Sequence, residues 1–254
     1  MPANSDAQQP LQQLDGDLPA GEVHVWLAIL GGPPVAVRSL QPLLNPEEQQ
    51  RADRFKVEPA REQFVVSRGL LRVVLGKYLN SDPREVAFTV TSHGKPELAN
   101  NSDLQFNLSH TEGLTAIGVT RLGRIGVDVE RIQRKVNALE LAQRFFSSKE
   151  TDWVRSRSEE ERVPSFLACW TAKEAYVKAH GEGLSIPLDG FSCIPGRSER
   201  RVQLEVFGSV EESRRWSMWR LEVPAEFKGA VAVEAADCIV RMGQLAPAIS
   251  FGEE

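Results

Sequence analysis

Residues 104–131 constrain the fold of this chain more than any other stretch. Apolar and polar residues alternate at its start, in the order Leu104, Gln105, Phe106, Asn107, Leu108 and Ser109. A period of two is typical of a β-strand with one buried face. Turn residues at 111–113 and 121–123 separate this run from two further apolar-rich runs, 114–120 and 125–131. The pattern therefore predicts a three-stranded antiparallel meander.

Patterns on both sides of the meander indicate the fold class. An N-cap followed by first-turn acids begins a helix at Asn45-Pro46-Glu47-Glu48, and apolar residues recur at helical spacing through 60–79. Further segments are predicted as strands at 23–29, 201–207, 216–223 and 229–235, and as helices at 137–156 and 164–180. This order predicts an α+β fold in which helices group against antiparallel sheets.

The chain of 254 residues divides into two comparable halves. A boundary near residue 120 gives an N-terminal subdomain of 21–120 and a C-terminal subdomain of 121–241. Residues 1–20, which are rich in Gln, Asp and Pro, are expected to be disordered, and 242–254 are expected to form a mobile tail.

Composition excludes several classes of protein. The cysteines Cys169, Cys193 and Cys238 are far apart and outside C-x-x-C spacing, so neither a disulfide framework nor a structural zinc site is expected. The N-terminus lacks the basic and apolar regions of a secretory signal, and no apolar run approaches the roughly 20 residues that span a bilayer. We therefore expect a cytoplasmic protein without a membrane partner.

The charge is spread unevenly along the chain. A net charge of -5 argues against a nucleic-acid partner. Residues 51–77 nevertheless hold seven Arg and Lys against three acids. This local excess of positive charge either attracts a polyanion or forms a solvated helix face.

Two carboxylates are predicted to lie side by side on the strand 125–130. Alternation buries the apolar residues of this strand and places Asp128 and Glu130 together on the opposite face. Such a pair repels itself unless a cation lies between the two groups, and hard oxygen ligands suit Mg²⁺. The alternative is a pair of solvated acids on an exposed strand face.

A second candidate group lies on the helical segment 170–178. Its i, i+4 spacing stacks Trp170, Glu174 and Lys178 along one helix face. A carboxylate and an ammonium group one turn apart can bind a metal ion and the phosphate that the metal bridges. They can equally form an exposed ion pair that contributes little to stability.

Two further residues have both a functional and a structural interpretation. Glu150 is a candidate general base, but Ser147-x-x-Glu150 is also a capping box, in which the carboxylate accepts a hydrogen bond from a backbone N–H at the helix start. His110 stands beside Ser109 at the end of a predicted strand. It is either a phosphate contact or an ordinary turn histidine.

Five short motifs follow one another along the chain: Gly94-Lys95-Pro96, Asn107-x-Ser109-His110, Gly126-Val127-Asp128-Val129-Glu130, Phe145-Phe146-x-x-x-Glu150 and Trp170-x-x-Lys173-Glu174-Ala175-x-x-x-Lys178. In order and approximate spacing they resemble the Sfp-type (surfactin-synthetase-activating) 4′-phosphopantetheinyl transferase superfamily. The motifs cover about residues 94–185. The region 47–79 agrees less specifically, through Arg68-x-x-x-Arg72.

This resemblance implies a fold and an activity. The fold would be two similar α/β subdomains related by a pseudo-two-fold axis, with coenzyme A in the cleft of a monomer. The activity would be transfer of the 4′-phosphopantetheine arm of coenzyme A to a serine of an apo acyl or peptidyl carrier protein, with Mg²⁺ as cofactor and 3′,5′-ADP as the second product.

The resemblance also implies a role for each candidate residue. By this resemblance, Asp128, Glu130 and Glu174 would bind Mg²⁺ against the coenzyme A pyrophosphate, and Lys178 would neutralise a phosphate oxygen in catalysis. Coenzyme A would contact Arg68, Lys95, Ser109 and His110. Glu150 would be the general base. Two alternatives remain open: a non-catalytic module of the same fold that binds carrier proteins, and a different Mg²⁺-dependent enzyme that acts on a nucleotide without a carrier.

Overall fold

The computed structural model describes residues 11, 13–30, 35–100, 102–132, 136–196 and 200–245. The expectations for residues 1–10 and 246–254 lie outside this part of the chain. In the described residues the fold is a mixture of helices and mainly antiparallel sheets, as the sequence predicts. None of the described helices combines the length and apolarity needed to cross a membrane.

The described strands form two main sheets and two hairpins. The strands are β1 Glu22–Ile29, β2 Phe88–Val90, β3 Pro96–Leu98, β4 Gln105–Thr111, β5 Leu114–Thr120, β6 Ile125–Arg131, β7 Phe191–Pro195, β8 Val202–Val206, β9 Ser217–Arg220, β10 Phe227–Val233 and β11 Ile239–Gln244. The first sheet has the order β11-β1-β5-β4, and only its β1/β11 pair is parallel. The second sheet, β6-β10-β9, is antiparallel, while β2–β3 and β7–β8 are hairpins.

Two long helices cover the outer faces of these sheets. The helices are α1 Val35–Leu40, α2 Pro46–Asp53, α3 Glu58–Leu79, α4 Ala138–Phe145, α5 Ser148–Arg155, α6 Glu159–His180 and α7 Val210–Arg215. α3 packs on the first sheet and α6 on the second, while an apolar cluster that includes Val25, Leu114 and Val127 fills the space between the sheets. The order of layers is therefore helix, sheet, sheet, helix.

The predicted meander is wrong at its third strand. β6 has the predicted bounds, but it pairs with β10 in the second sheet rather than with β5. The two strands instead stack face to face, since a Cβ added at Gly118 of β5 would lie 2.5 Å from Val127 Cγ2. The missing side chain of Gly118 thus lets the two sheets approach each other closely.

The predicted helix over 137–156 is two helices. Phe146 has extended backbone, and the Ser147 side chain accepts a hydrogen bond from the Glu150 N–H to begin α5. An N-cap residue has non-helical backbone, so the cap at Ser147 divides the predicted helix into α4 and α5.

The two ends of the described chain are more ordered than expected. Leu11, Leu14 and Leu18 pack against the first core, and the Leu11 N–H donates to the Met242 carbonyl (2.8 Å). β11 runs to Gln244, and Leu245 is buried. These contacts correct the expectation of disorder for this part of 1–20 and of mobility for 242–245, because both segments bury apolar side chains.

One glycine sets how closely α6 lies on the second sheet. A Cβ added at Gly126 of β6 would lie 2.0 Å from the Ala175 carbonyl oxygen and 2.4 Å from the Ala179 nitrogen. Both atoms belong to the backbone of α6, so a rotamer change cannot relieve the clash. Gly126 is therefore needed for α6 to rest on β6.

Replacing Gly126 with alanine tests this contact. We expect Gly126→Ala to lower the free energy of unfolding by about 3 kcal/mol, because α6 must shift away from β6. Urea denaturation followed by circular dichroism measures the change. Gly190→Ala is the matched control, since the nearest atom to its added Cβ is 3.8 Å away. Equal midpoints for the two variants would contradict the proposed role of Gly126.

Candidate active site

The candidate site forms where the edge strands of the two sheets meet beneath α6. Side chains of β4 accept hydrogen bonds from the backbone of β6, so that a ladder of side chains joins the two edges. The N–H groups of Val127, Val129 and Arg131 donate to Asn107 Oδ1 (2.9 Å), Ser109 Oγ (3.3 Å) and Thr111 Oγ1 (3.3 Å). The polar face of β4, predicted from its alternation, thus points at β6 rather than at solvent.

Three of the predicted residues come together at this junction. Lys178 Nζ of α6 lies 2.6 Å from Asp128 Oδ1 of β6 and 3.0 Å from Ser109 Oγ of β4. The Ser109 hydroxyl donates to the same Asp128 oxygen (3.0 Å). Asp128 is buried and Lys178 is partly exposed, so the group has an inner end and an outer end.

The other oxygen of Asp128, Oδ2, is buried as well. No described residue donates a hydrogen bond to it. A buried carboxylate oxygen without a donor is costly, by about 1–3 kcal/mol or more. Such an atom indicates a place for a cation, and its chemistry fits a hard metal ion.

Glu130 and Glu174 belong to the same electrostatic group as Asp128. The pKa of each glutamate is raised above its ordinary value, first by burial and then by the negative charge of Asp128. The nearby Lys178 ammonium offsets part of this increase. Negative charge therefore accumulates around Asp128.

The three carboxylates do not form a closed ligand set as they stand. Across the described ranges, no three acidic, histidine or cysteine side chains lie close enough to hold one metal ion. The positive group that contacts Asp128 is Lys178. The magnesium site thus stays a prediction, supported by the unpartnered Oδ2 atom and by the chemistry of the three acids.

Positive groups from α2, α3 and α6 surround His110. The pKa of His110 is lowered by burial and then by the charges of Lys178, Arg68 and Arg51. Both arginines stack on Phe64, with guanidinium carbons 5.3 Å (Arg51) and 5.8 Å (Arg68) from the ring centroid. The sequence interpretation selected Arg68 but not Arg51, whose only signal was its place in the basic stretch 51–77.

Lys95 reaches the same junction from the other side. Its ammonium group donates to the carbonyl oxygens of Ile125 (3.2 Å) and Ala179 (3.0 Å), at the start of β6 and near the end of α6. Burial lowers the pKa of Lys95 to about 8. Lys95 thus joins two elements of the site, and its contact with a ligand stays a prediction.

Glu150 lies in the interior. Its side chain accepts hydrogen bonds from the Ser147 N–H (3.1 Å) and hydroxyl (2.8 Å), so the predicted capping box is present. Lys173 Nζ lies 2.8 Å from the same oxygen, Oε2, and the other oxygen, Oε1, accepts from the Cys193 N–H (2.8 Å). Glu150 and Lys173 are both fully buried. This burial favours the structural interpretation of Glu150 over the role of general base.

Lys173 completes a buried polar centre that fixes α5, α6 and β7. Its ammonium group also donates to the carbonyl oxygens of Leu188 (2.7 Å) and Phe191 (2.6 Å). All its donors therefore have acceptors, which is the condition under which a buried charge is tolerated.

The buried pair makes a prediction that separates structure from catalysis. Lys173→Met should lower the free energy of unfolding by about 3–5 kcal/mol, because it leaves the Glu150 carboxylate buried and unpaired. Glu150→Gln should cost less, since the amide oxygen can still accept the capping hydrogen bonds. Chemical denaturation measures both changes. If folded Glu150→Gln also keeps the full rate of the enzyme, Glu150 is a helix cap and not the general base. A large loss of rate at unchanged stability would instead support the role of general base.

Two family models match adjacent segments of the chain. One is described as the 4′-phosphopantetheinyl transferase superfamily and matches residues 124–232. The other, described as 4′-phosphopantetheinyl transferase, N-terminal, matches residues 35–121. The chain belongs to the 4′-phosphopantetheinyl transferase superfamily, and its class as an enzyme is confirmed.

Curated relatives agree with this assignment. The chain is 38% identical over 167 residues to the 4′-phosphopantetheinyl transferase HetI of Nostoc sp., covering 65% of this chain and 70% of HetI. It is 35% identical over 200 residues to a putative 4′-phosphopantetheinyl transferase of Synechocystis sp., covering 78% of each chain. It is 32% identical over 149 residues to the 4′-phosphopantetheinyl transferase Sfp of Bacillus subtilis, covering 59% of this chain and 65% of Sfp.

Proposed function

We propose that this enzyme transfers the 4′-phosphopantetheine arm of coenzyme A to a serine of an apo acyl or peptidyl carrier protein, with Mg²⁺ as cofactor. The observation that carries the proposal is the group formed by Ser109, Asp128 and Lys178, with its unpartnered carboxylate oxygen. The group combines a hydroxyl, an anion and a cation at one point, as binding of a metal and a pyrophosphate requires.

The proposed reaction is a phosphoryl transfer. The serine oxygen of the carrier forms a bond to the phosphorus that bears the pantetheine arm, and the bond from that phosphorus to the bridging oxygen breaks. The electron pair leaves with 3′,5′-ADP, and the serine proton passes to a base. Catalysis of this kind rests on positioning and on compensation of charge.

The residues of the chain have separate tasks in this proposal. Asp128, Glu130 and Glu174 would hold Mg²⁺, which when bound supplies Lewis-acid stabilisation of phosphate oxygens. Lys178 neutralises a phosphate oxygen, and Ser109 holds both Asp128 and Lys178 in place. This arrangement concentrates positive charge where negative charge develops on the leaving phosphate.

The positive groups around His110 would bind the nucleotide end of coenzyme A. Arg51 and Arg68 both lie over the Phe64 ring, and a bound anion relieves the repulsion between their charges. Arg51 is therefore added to the contacts proposed for Arg68, His110 and Lys95. The phosphates of coenzyme A have the charge that this surface needs.

The assay for the proposed function combines coenzyme A, Mg²⁺ and a panel of apo carrier domains. We expect a mass gain of one phosphopantetheine group on the carrier serine. Asp128→Ala and Glu174→Ala should each lower kcat/KM on the order of 10²-fold or more, because each removes a proposed metal ligand.

Glu211→Ala, which removes an exposed acid of α7, is the matched control and should keep its rate. Near-normal rates in both site variants would end the metal assignment. No mass gain on any carrier would favour the non-catalytic binding module. Turnover of a nucleotide without carrier would favour the third alternative.

The low pKa of Lys95 gives a pH dependence for coenzyme A binding. Because the folded-state pKa lies at about 8, below the ordinary 10.5, the amine loses its charge as the pH rises through this value. If Lys95 contacts a phosphate, affinity should fall over this range by up to about tenfold, the worth of one charge-assisted hydrogen bond. Calorimetric titration of coenzyme A without carrier measures it.

Lys95→Met provides the reference for this profile, since it removes the titrating group and leaves every other one. The ratio of the coenzyme A affinities of the wild type and Lys95→Met should approach one at pH values above the pKa of Lys95. A ratio independent of pH would assign Lys95 to the scaffold alone.

A further inference from the structure

A cavity of about 560 Å³ lies beside the candidate active site on the second sheet. Its walls come from the end of α5, the first half of α6 and strands β9 and β10. Lys228 of β10 lines the cavity and is the cross-strand partner of Glu130. In the part of the chain that the structure describes, no residue of the candidate active site lines this cavity. The two sites are therefore neighbours with separate walls.

Positive charge predominates among the described residues that line the cavity. The charged lining residues are Arg157, Arg200, Arg220 and Lys228 on the basic side and Glu161 and Glu222 on the acidic side. Glu222 is engaged with Arg200 (3.0 Å), and the Ser158 hydroxyl donates to Glu161 (3.1 Å). The excess of positive charge favours an anion.

The charge of Lys228 is not neutralised within the described part of the chain. No carboxylate there forms an ion pair with it, although Glu130 stands opposite on β6. The pKa of Lys228 is lowered by burial and then by the charge of Arg220. A positive charge in a partly buried place costs free energy that a bound anion offsets.

Most of the uncharged lining residues are apolar. Leu221 and Phe227 are buried side chains of the lining, and Trp153 closes the α5 side. Arg157 lies over the Trp153 ring at 4.5 Å and its Nε donates to the Trp153 carbonyl (3.3 Å). An apolar wall with a few convergent polar groups, in a volume of this size, is typical of a small-molecule site.

We propose that this cavity is a second ligand site that binds a small organic anion, a carboxylate or phosphate on an apolar body. Lys228 binds the charged group, and Trp153, Leu221 and Phe227 contact the apolar part. The site does not depend on the proposed function, because none of its residues has a role in the transfer reaction.

Nuclear magnetic resonance of the full chain tests the proposal with three probes: hexanoate, hexanol and inorganic phosphate. The indole N–H resonance of Trp153, assigned with Trp153→Phe, reports on the cavity wall. We expect a saturable shift of this resonance with hexanoate. The affinities for hexanol and phosphate should be at least about fivefold weaker, because hexanol lacks the charged group and phosphate lacks the apolar part. If phosphate binds as tightly as hexanoate, the proposal that the ligand is an organic anion is wrong.

Lys228→Gln should weaken hexanoate binding about tenfold, because it removes one charge-assisted hydrogen bond. Lys77→Gln, an exposed lysine at the end of α3, is the matched control and should leave the affinity unchanged. Ala168→Leu, which fills the cavity from α6 without a change of charge, should also weaken binding.

Two results overturn the second site: no saturable shift with any probe, or equal hexanoate affinity in the wild type and Lys228→Gln. A third overturns its separation from the active site, namely displacement of hexanoate by coenzyme A and Mg²⁺. The transfer assay is a separate measurement. A negative result for hexanoate binding therefore leaves the proposed function unchanged, and a negative result in the transfer assay leaves the proposed second site unchanged.

Discussion

The candidate site depends on the hydrogen bonds from the β6 backbone to the side chains of β4. Edge strands carry unsatisfied N–H groups, and a continuous ladder would have merged the two sheets into one. Here Asn107 and Ser109 accept those hydrogen bonds, so the sheets stay separate and stack. The same contacts bring Ser109 beside Asp128 and Lys178. One interaction thus joins the halves of the fold and assembles the chemical group between them.

The sequence predicted local structure well and pairing poorly. Apolar patterning and turn residues located β5 and β6 at their observed bounds and β4 to within two residues, because these signals are local to each strand. It contained no information on the partner of β6, since β10 lies about a hundred residues further along the chain. The acids and Lys178 were selected by spacing and motif, whereas Arg51 depended on a tertiary contact with Phe64. Non-local contacts of this kind leave little trace in one sequence.

Two lysines five residues apart on α6 show that one sequence motif can contain both a structural residue and a residue of the candidate active site. Lys173 faces inward, where Glu150 and two carbonyl groups satisfy it. Lys178 is partly exposed and contacts Asp128. The buried pair holds α6 against α5 and β7, and so fixes the rotation of the helix that presents Lys178. Motif residues with no access to substrate therefore still control the geometry of the site.

The parallel pairing of β11 with β1 has a consequence for synthesis of the chain. β1 is the first described strand to leave the ribosome and β11 the last, so one edge of β1 remains unpaired until β11 has been synthesised. The N-terminal half therefore cannot finish its sheet during its own synthesis, although its helix α3 and strands β4 and β5 are already present. Truncation before residue 239 would leave that edge permanently available to another chain.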